Sequence, residues 1–396
     1  MTTIYLDNNA TTKTAPEVLE AMKPYLTEYY GNPSSMHTFG GQIHRKIEHA
    51  RAEVAALINA EPEEIVFTSC GTESDNTALM SAVETVPEKK HLITTRVEHP
   101  AVINFCRHLT GKGFRTTYLP VDTLGQLDPV ALDHAVDDET AIVSIMFANN
   151  ETGVIFPVET IATRMHEKGI LFHTDAVQAA GKIPLDVRKT PVHMLSISGH
   201  KLHAPKGIGA LYVRKGTRFH PYIIGGHQEH GRRAGTENVA FIIGLGMAAE
   251  LARTNLTEEI AYLERLRDRL EQGLLKSCPH ARVNGDIASR LPNTSNISFE
   301  YIEGEAILLR LNEYGICASS GSACTSGSLE PSHVLRAMGV PYTAVHGSIR
   351  FSLSRYTTGK DIDTVLEVMP KIILELRELS PFGRDRPAIR QNQTRE

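Results

Sequence analysis

Two residues with clear chemical potential each end an apolar stretch. Lys201 closes Ser198-Gly199-His200-Lys201, after the apolar run 194–197 and before a Gly/Pro-rich turn. A lysine at the end of a buried strand is costly unless paired or neutral. A neutral amine is what Schiff-base chemistry with an aldehyde requires. Taken alone, Lys201 fits better as a surface lysine whose stem lies along apolar groups, and the neighbouring segments are what reverse that reading. Asp175 lies 26 positions upstream, in Phe172-His173-Thr174-Asp175-Ala176-Val177-Gln178. A carboxylate there can keep a ring nitrogen protonated and make a heteroaromatic cofactor an electron sink. Taken alone, Asp175 fits equally well as a helix cap.

Other strand ends add to this pair. Thr68-Ser69-Cys70-Gly71-Thr72-Glu73-Ser74-Asp75-Asn76 leaves a strand and opens a helix. Its first backbone N–H groups, at Gly71 and Thr72, make an anion site suited to a cofactor phosphate. A plain cap, Thr72 with Asp75 in the first turn, would look similar. Ser198 and His200 flank Lys201 and could hold the same phosphate. Gln178 could donate to a ring oxygen, and His99 precedes a helix where its imidazole could stack on a ring. Asn149 and Asn150 follow the apolar run 142–147. In open α/β sheets ligands bind beyond the carboxyl ends of strands, and all these residues lie there. No Gly-x-x-x-x-Gly-Lys-Ser/Thr loop and no Gly-x-Gly-x-x-Gly after a strand supports a nucleotide.

The elements that must position them alternate. Strands are expected at 64–68, 91–95, 116–119, 141–147, 171–174, 194–197 and 209–213. Helices are expected at 72–86, 101–110 and 157–168. This order implies an α/β fold with a mostly parallel sheet. A charged amphipathic helix at 256–276 leads to a smaller α+β region. That region has strands near 296–299 and 348–353 and helices near 303–314 and 361–376. The expected division is a large domain at 12–258, a small one from 1–11 and 259–380, and a frayed tail at 381–396.

Composition sets the limits. The 396 residues are 41% hydrophobic and 22% charged, ordinary for a globular chain. A net charge of -5 leaves no basic footprint for nucleic acid. No run approaches the ~18 apolar residues of a membrane helix. The first residues lack the pattern of a signal peptide, so a cytoplasmic protein without a membrane partner is expected. The five cysteines are sparse and form no Cys-x-x-Cys pair. That argues against a disulfide framework and a thiolate zinc site. Cys324 stands apart, in Ser319-Ser320-Gly321-Ser322-Ala323-Cys324-Thr325-Ser326-Gly327-Ser328. This composition predicts a loop that can move, and exposure favours thiolate reactivity. Cys317 reads as the end of a buried strand, and Cys70 as structural.

These motifs carry a resemblance. From Tyr5-Leu6-Asp7-Asn8-Asn9-Ala10-Thr11-Thr12 to Ile349-Arg350-Phe351-Ser352-Leu353-Ser354-Arg355, the chain resembles the pyridoxal-phosphate cysteine desulfurases of the nitrogen-fixation type. The segment Gly225-Gly226-His227-Gln228-Glu229-His230-Gly231-Arg232-Arg233-Ala234-Gly235-Thr236 also matches, with His230 where the pattern has arginine. The resemblance implies an aspartate-aminotransferase-like fold (fold type I), with a mostly parallel seven-stranded sheet and a smaller α+β domain. It implies a homodimer with sites near the subunit interface. Lys201 would hold pyridoxal 5'-phosphate covalently. Gly71, Thr72, Ser198 and His200 would bind its phosphate, with Thr236 reaching in from the partner chain. Asp175 would pair with the ring nitrogen and Gln178 with the ring oxygen. His99 would stack on the ring as one of the catalytic groups. Asn150, beside the cofactor, and Arg350 would hold the substrate carboxylate, a task suited to arginine's fork. Arg350 would serve equally as a structural ion-pair partner. Cys324 would take the sulfur of L-cysteine as a persulfide, leaving L-alanine.

The implied acceptor is an iron–sulfur scaffold protein, and ultimately nitrogenase clusters. Cys324 is also a candidate transient cluster ligand shared with that scaffold, since one cysteine cannot hold a cluster alone. A selenocysteine lyase or an aminotransferase on this scaffold would use Lys201 and Asp175 alike, but a transaminase has no need of the loop cysteine. A non-catalytic sulfur-transfer scaffold would have no use for the lysine–aspartate pair.

Overall fold

Strands buried on both faces suit a parallel sheet covered by helices. The computed structural model describes residues 3–320 and 330–380. The chain opens with β1 (Ile4–Tyr5), α1 (Pro16–Thr27) and α2 (Thr38–Leu57). The alternating region follows: β2 (Ile65–Thr68), α3 (Gly71–Thr85), β3 (His91–Thr95), α4 (Pro100–Thr110) and β4 (Arg115–Leu119). It continues through α5 (Pro129–Ala135), β5 (Thr140–Ser144), α6 (Val158–Glu167), β6 (Leu171–Asp175), β7 (Met194–Ser198) and β8 (Gly209–Val213).

These strands form a seven-stranded sheet in the order β2-β8-β7-β6-β5-β3-β4. All neighbours are parallel except β8, which runs antiparallel to both β2 and β7. Every residue of β2, β3, β5, β7 and β8 is buried, whereas only Leu119 is buried in the edge strand β4. The fold and the mostly parallel sheet are those expected from sequence. One strand boundary in this sheet differs by more than a residue. β5 ends at Ser144 because the Met146 amide turns to the buried Glu98 carboxylate, at 3.1 Å to both oxygens.

The expected helix at 256–276 is the second half of α7 (Val239–Ser277), a 39-residue helix. By length and composition alone α7 could cross a membrane. Its first half instead buries Ala240, Ile242, Leu245, Ala248, Ala249 and Ala252, against α1 and α2. Its second half joins another core. There β9 (Ala281–Val283), β10 (Thr294–Phe299) and β12 (Ser348–Ser352) form an antiparallel sheet, with β10 central. α8 (Gly304–Glu313), β11 (Ile316–Cys317), α9 (His333–Ala337), α10 (Tyr342–Val345) and α11 (Gly359–Leu379) complete this part. Ile4 and Leu6 from the start of the chain pack into the same core, beside Leu266, Phe351 and Ile372. β1 pairs in parallel with β11. The N-terminal segment is thereby carried to the carboxyl edge of the large sheet.

Candidate functional site

A cavity of about 310 Å³ opens at that edge, within the range of small-ligand sites. The direction of the strands decides what lines it. β6 ends in Asp175, β7 in Ser198, and β2 runs into Cys70 and Gly71. His99 follows β3, Asn150 follows β5, and Lys201 closes a single helical turn after β7. Gly71, Thr72, His99, Asn150, Asp175, Gln178, Ser198, His200, Lys201 and Arg350 all line it, as expected from sequence. Thr236 does not; it is exposed on the same chain's surface. Cys324 lies outside the described residues, and with it the expected loop and cluster ligand. The tail 381–396 lies outside them too.

The phosphate end is built from unsatisfied groups. Cys70 is the N-cap of α3 and its side chain makes no capping bond, so the plain cap by Thr72 and Asp75 is not what forms. The first N–H groups of a helix lack intrahelical partners. Ser198 Oγ is buried with no hydrogen-bond partner. A Cβ at Gly71 would meet Val177 Cγ2 at 2.8 Å and Ser198 Cβ at 3.3 Å, so only glycine allows this approach. Orphan donors of this kind fit the phosphate of pyridoxal phosphate. His200 is neutral here, pushed down to about 4 by burial and by Lys201, Lys206 and Lys182. Its Nδ1 lies 3.1 Å from Thr11 Oγ1.

The ring end has its own logic. Burial raises the Asp175 carboxyl above its ordinary range; His99, the Val177 amide and Lys201 oppose this. That carboxyl therefore gains by meeting a further cation, and a pyridinium supplies one. His99 caps α4 by accepting from the Ala101 amide at Nδ1, 3.1 Å away. The proton of the neutral ring must then sit on Nε2. Burial lowers the His99 pKa, with Asp175 opposing and Lys201 assisting. Lys201 Nζ donates to the carbonyls of Asn9 and of Ala10, the latter at 2.7 Å. Gln178 Nε2 donates to the same Asn9 carbonyl at 3.0 Å.

Arg350 sits on β12 with its guanidinium buried. It donates to Asp7 at 2.7 Å and to the Asn150 carbonyl at 3.0 Å, while its Nε has no partner. The ion-pair reading of Arg350 is thus present in the fold, with Nε among the N–H groups it leaves over. Asn9 and Ala10 were not picked out from sequence. Their closeness to Lys201 depends on a contact across some 190 residues that no local pattern announces.

The segment bearing Thr236 is clamped to this region. Glu229, His230 and Gly231 all have positive φ, at 48°, 57° and 79°. Glu229 is buried and accepts from Arg51 at 2.6 and 2.8 Å and from the Phe67 amide at 2.8 Å. Arg233 grips Glu73, on the first turn of α3, at 2.9 and 3.2 Å. Of the described cysteines, Cys106 and Cys278 are buried, and burial pushes Cys106 up to about 12. Cys70 is half-buried and lines the cavity, although sequence marked it as structural.

Comparisons with known proteins agree with this geometry. A cysteine desulfurase of Nostoc sp. is 64% identical over 385 residues, covering 97% of this chain and 96% of its own. Cysteine desulfurase NifS of Azotobacter vinelandii is 58% identical over 383 residues, covering 96% and 95%. Among solved structures, a NifS-like protein superposes with a TM-score of 0.89 at 41% identity, covering 95% of this chain and all of that one. SspA, solved in complex with cysteine, gives 0.79 at 36% identity, covering 90% and 100%. Residues 4–365 match the aminotransferase class-V family, and the chain belongs to that family of pyridoxal-phosphate enzymes.

Proposed function

We propose that this protein is a NifS-like cysteine desulfurase. The observation that carries the reading is a lysine and a buried aspartate at one cavity with an orphan-donor phosphate cradle. The relatives' identity over nearly the whole chain supports the substrate, L-cysteine. Pyridoxal phosphate, when bound, supplies an electron sink that loosens bonds at the α and β carbons of an amino acid. The chain's own residues do the rest. The α3 N-terminus, Ser198 and His200 hold the phosphate, and Asp175 holds the ring nitrogen protonated. His99 covers the ring. Lys201 anchors the cofactor and, once displaced, moves the α-proton of the substrate. Asn150 and Arg350 orient the substrate carboxylate, Arg350 through the N–H groups its ion pair leaves over.

Cys324 is the sulfur acceptor in this reading. Its thiolate forms an S–S bond to the substrate sulfur while the Cβ–S bond breaks. The balance is L-cysteine plus a thiol giving L-alanine plus a persulfide. The persulfide passes to an iron–sulfur scaffold protein, in keeping with the likeness to NifS. The working unit is a homodimer in which Thr236 of one subunit reaches the phosphate of the other. Its exposure and its clamped backbone suit that role. Chains carrying Lys201→Ala and Thr236→Ala, mixed, should regain one good site per mixed dimer. Mixed dimers without rescue would refute the shared site.

The test of the function is mass spectrometry after exposure to L-cysteine, with alanine measured in parallel. A 32 Da-class sulfur addition at Cys324 is expected (about one sulfur atom), and Cys324→Ala should give neither alanine nor persulfide. Sulfur located on Cys70, or alanine formed normally by Cys324→Ala, would show that the nucleophile lies elsewhere.

A further inference from the structure

Lys182 has no place in the chemistry above, yet it is 9% exposed. Burial, helped by Lys201 and Arg350, pulls its ammonium down to about 7. The acid whose charge reaches it, Glu259, is itself held by Arg355 at 2.8 Å. A buried lysine that has no ion-pair partner among the described residues is expensive, so its position calls for a reason.

The backbone puts it there. After Asp175 the chain makes two turns, ending at Gly181 with φ +70°. A Cβ at Gly181 would collide with Leu202 and lie 3.0 Å from Ala252 Cβ. Only glycine lets this turn press against Leu202 and α7. The turn sets Lys182 under Gln178, and Nζ donates to Gln178 Oε1 at 2.7 Å.

The consequence lies in the amide. A glutamine amide can present either its oxygen or its nitrogen, and small differences decide which. Here Lys182 is a donor at one end and the Asn9 carbonyl an acceptor at the other. Flipping the amide would set donor against donor and acceptor against acceptor. Lys182 holds Oε1, the single acceptor atom of the Gln178 amide, on its own side. What remains toward the cavity is N–H.

We propose that Lys182 is a positioning residue: it locks the Gln178 amide so that only a donor can face the ring oxygen of the cofactor. The proposal rests on the reading of Gln178 given above. It also accounts for a lysine rather than an apolar residue at this buried place. A small chamber of about 20 Å³ beside Lys182 and Lys201 has room for about one water, so the amine can keep its remaining hydrogens solvated.

The experiment is a double-mutant cycle on cofactor affinity, read on apo-protein titrated with pyridoxal phosphate. Lys182→Met, close in shape, should weaken binding about 10-fold, the size of one hydrogen bond to a charged oxygen. Gln178→Met should do the same. The double variant should be no weaker than either, because the amide that Lys182 aligns is gone. Both single variants should shift the visible absorption maximum of the bound cofactor equally. Gln178→Glu leaves Lys182 a partner but removes the donor, and should match Gln178→Met. Apo-protein melting identifies any variant that fails to fold; should Lys182→Met be one, Lys182→Gln, which can still donate to Oε1, takes its place and should keep the wild-type band, a shifted band there overturning the proposal. Fully additive losses, or an unshifted band in Lys182→Met, would overturn the proposal. A wild-type protein that forms no visible band with the cofactor would sink the cofactor reading as well.

Discussion

The serines and asparagines inside the small antiparallel sheet are paired, whereas the cofactor cavity leaves polar atoms on its wall without hydrogen bonds, Arg350 Nε from that same sheet among them. In the small sheet, Asn284 Nδ2 donates to Asn296 Oδ1 at 2.8 Å and to Ser298 Oγ at 2.7 Å. Ser298 and Ser348 share a bond of 2.7 Å, and Ser295 donates to Glu271 at 2.6 Å. In the cavity, Ser198 Oγ and Asp75 Oδ1 make no hydrogen bond, the latter having only the His173 ring at 3.6 Å. Buried polar groups that go unpaired cost stability, so native chains keep few. Satisfied groups hold a fold together. Orphans that line one cavity, as Ser198 Oγ and Arg350 Nε do, mark where a ligand is to supply the missing partners.

The comparison breaks first at Lys201. The structure pairs it with two carbonyls, so by bonding alone it belongs with the satisfied groups. Its function requires it to leave them. Lys201→Ala should cut alanine formation about 10⁴-fold or more, since anchor and proton carrier are lost together. Borohydride should no longer fix cofactor to the chain, while phosphate-end affinity persists. Labelling of the exposed Lys206 in the wild type would move the assignment.

A paired substitution sharpens the contrast. Ser198→Ala removes an orphan and should leave apo-protein stability nearly unchanged. It should weaken cofactor binding about 10-fold or more, as for a bond to a charged phosphate. Asn284→Ala removes a satisfied hub and should cost about 1–3 kcal/mol of stability, with cofactor affinity unchanged in the folded fraction. Denaturant melts of apo-protein and cofactor titrations read the two effects separately. Similar stability losses in both variants would erase the distinction.

How much of this the sequence disclosed follows from range. The buried strands are short and mostly apolar, the edge strand β4 being the exception, and Asp175 and Lys201 stand at or just past strand ends, so local pattern suffices. β8 was visible as a strand but not its reversal, which depends on the short return after Lys201. The first half of α7 is rich in Ala and Gly, and its polar second half alone had a helical signature. Asn9, Ala10 and Lys182 stayed hidden because their roles come from contacts between distant segments or from a turn shaped by Gly181. Thr236 was singled out by resemblance, and a single chain leaves it exposed.

A pH-dependent effect tests whether a hydrogen bond satisfies a buried charge. Glu98 has ample donors: Thr95 Oγ1 at 2.7 Å and the Met146 amide. By the comparison it belongs with the structural groups. Yet it is fully buried, and burial lifts its pKa from 4.5 to about 8, with Asp175 adding to the rise. The folded chain therefore holds this proton up to about pH 8, and the unfolded chain releases it near 4.5. Folding takes up a proton across that window, so this contribution to stability falls as pH rises through it. The slope cannot exceed about 1.4 kcal/mol per pH unit for one proton. Glu151, raised to about 7 by burial, adds a similar slope at lower pH. His173, lowered to about 3, opposes both below about 6.5. Lys182 opposes them from about pH 7 upward. The informative quantity is therefore the difference between wild type and Glu98→Gln, in which the other groups cancel. Glu98→Gln should gain on the wild type steadily between pH 5 and 8, because its amide accepts the same donors without ever ionising. Chemical denaturation of apo-protein at several pH values measures this. A constant difference across the window would mean that Glu98 is ionised throughout, and that its donors alone suffice to hold a buried charge.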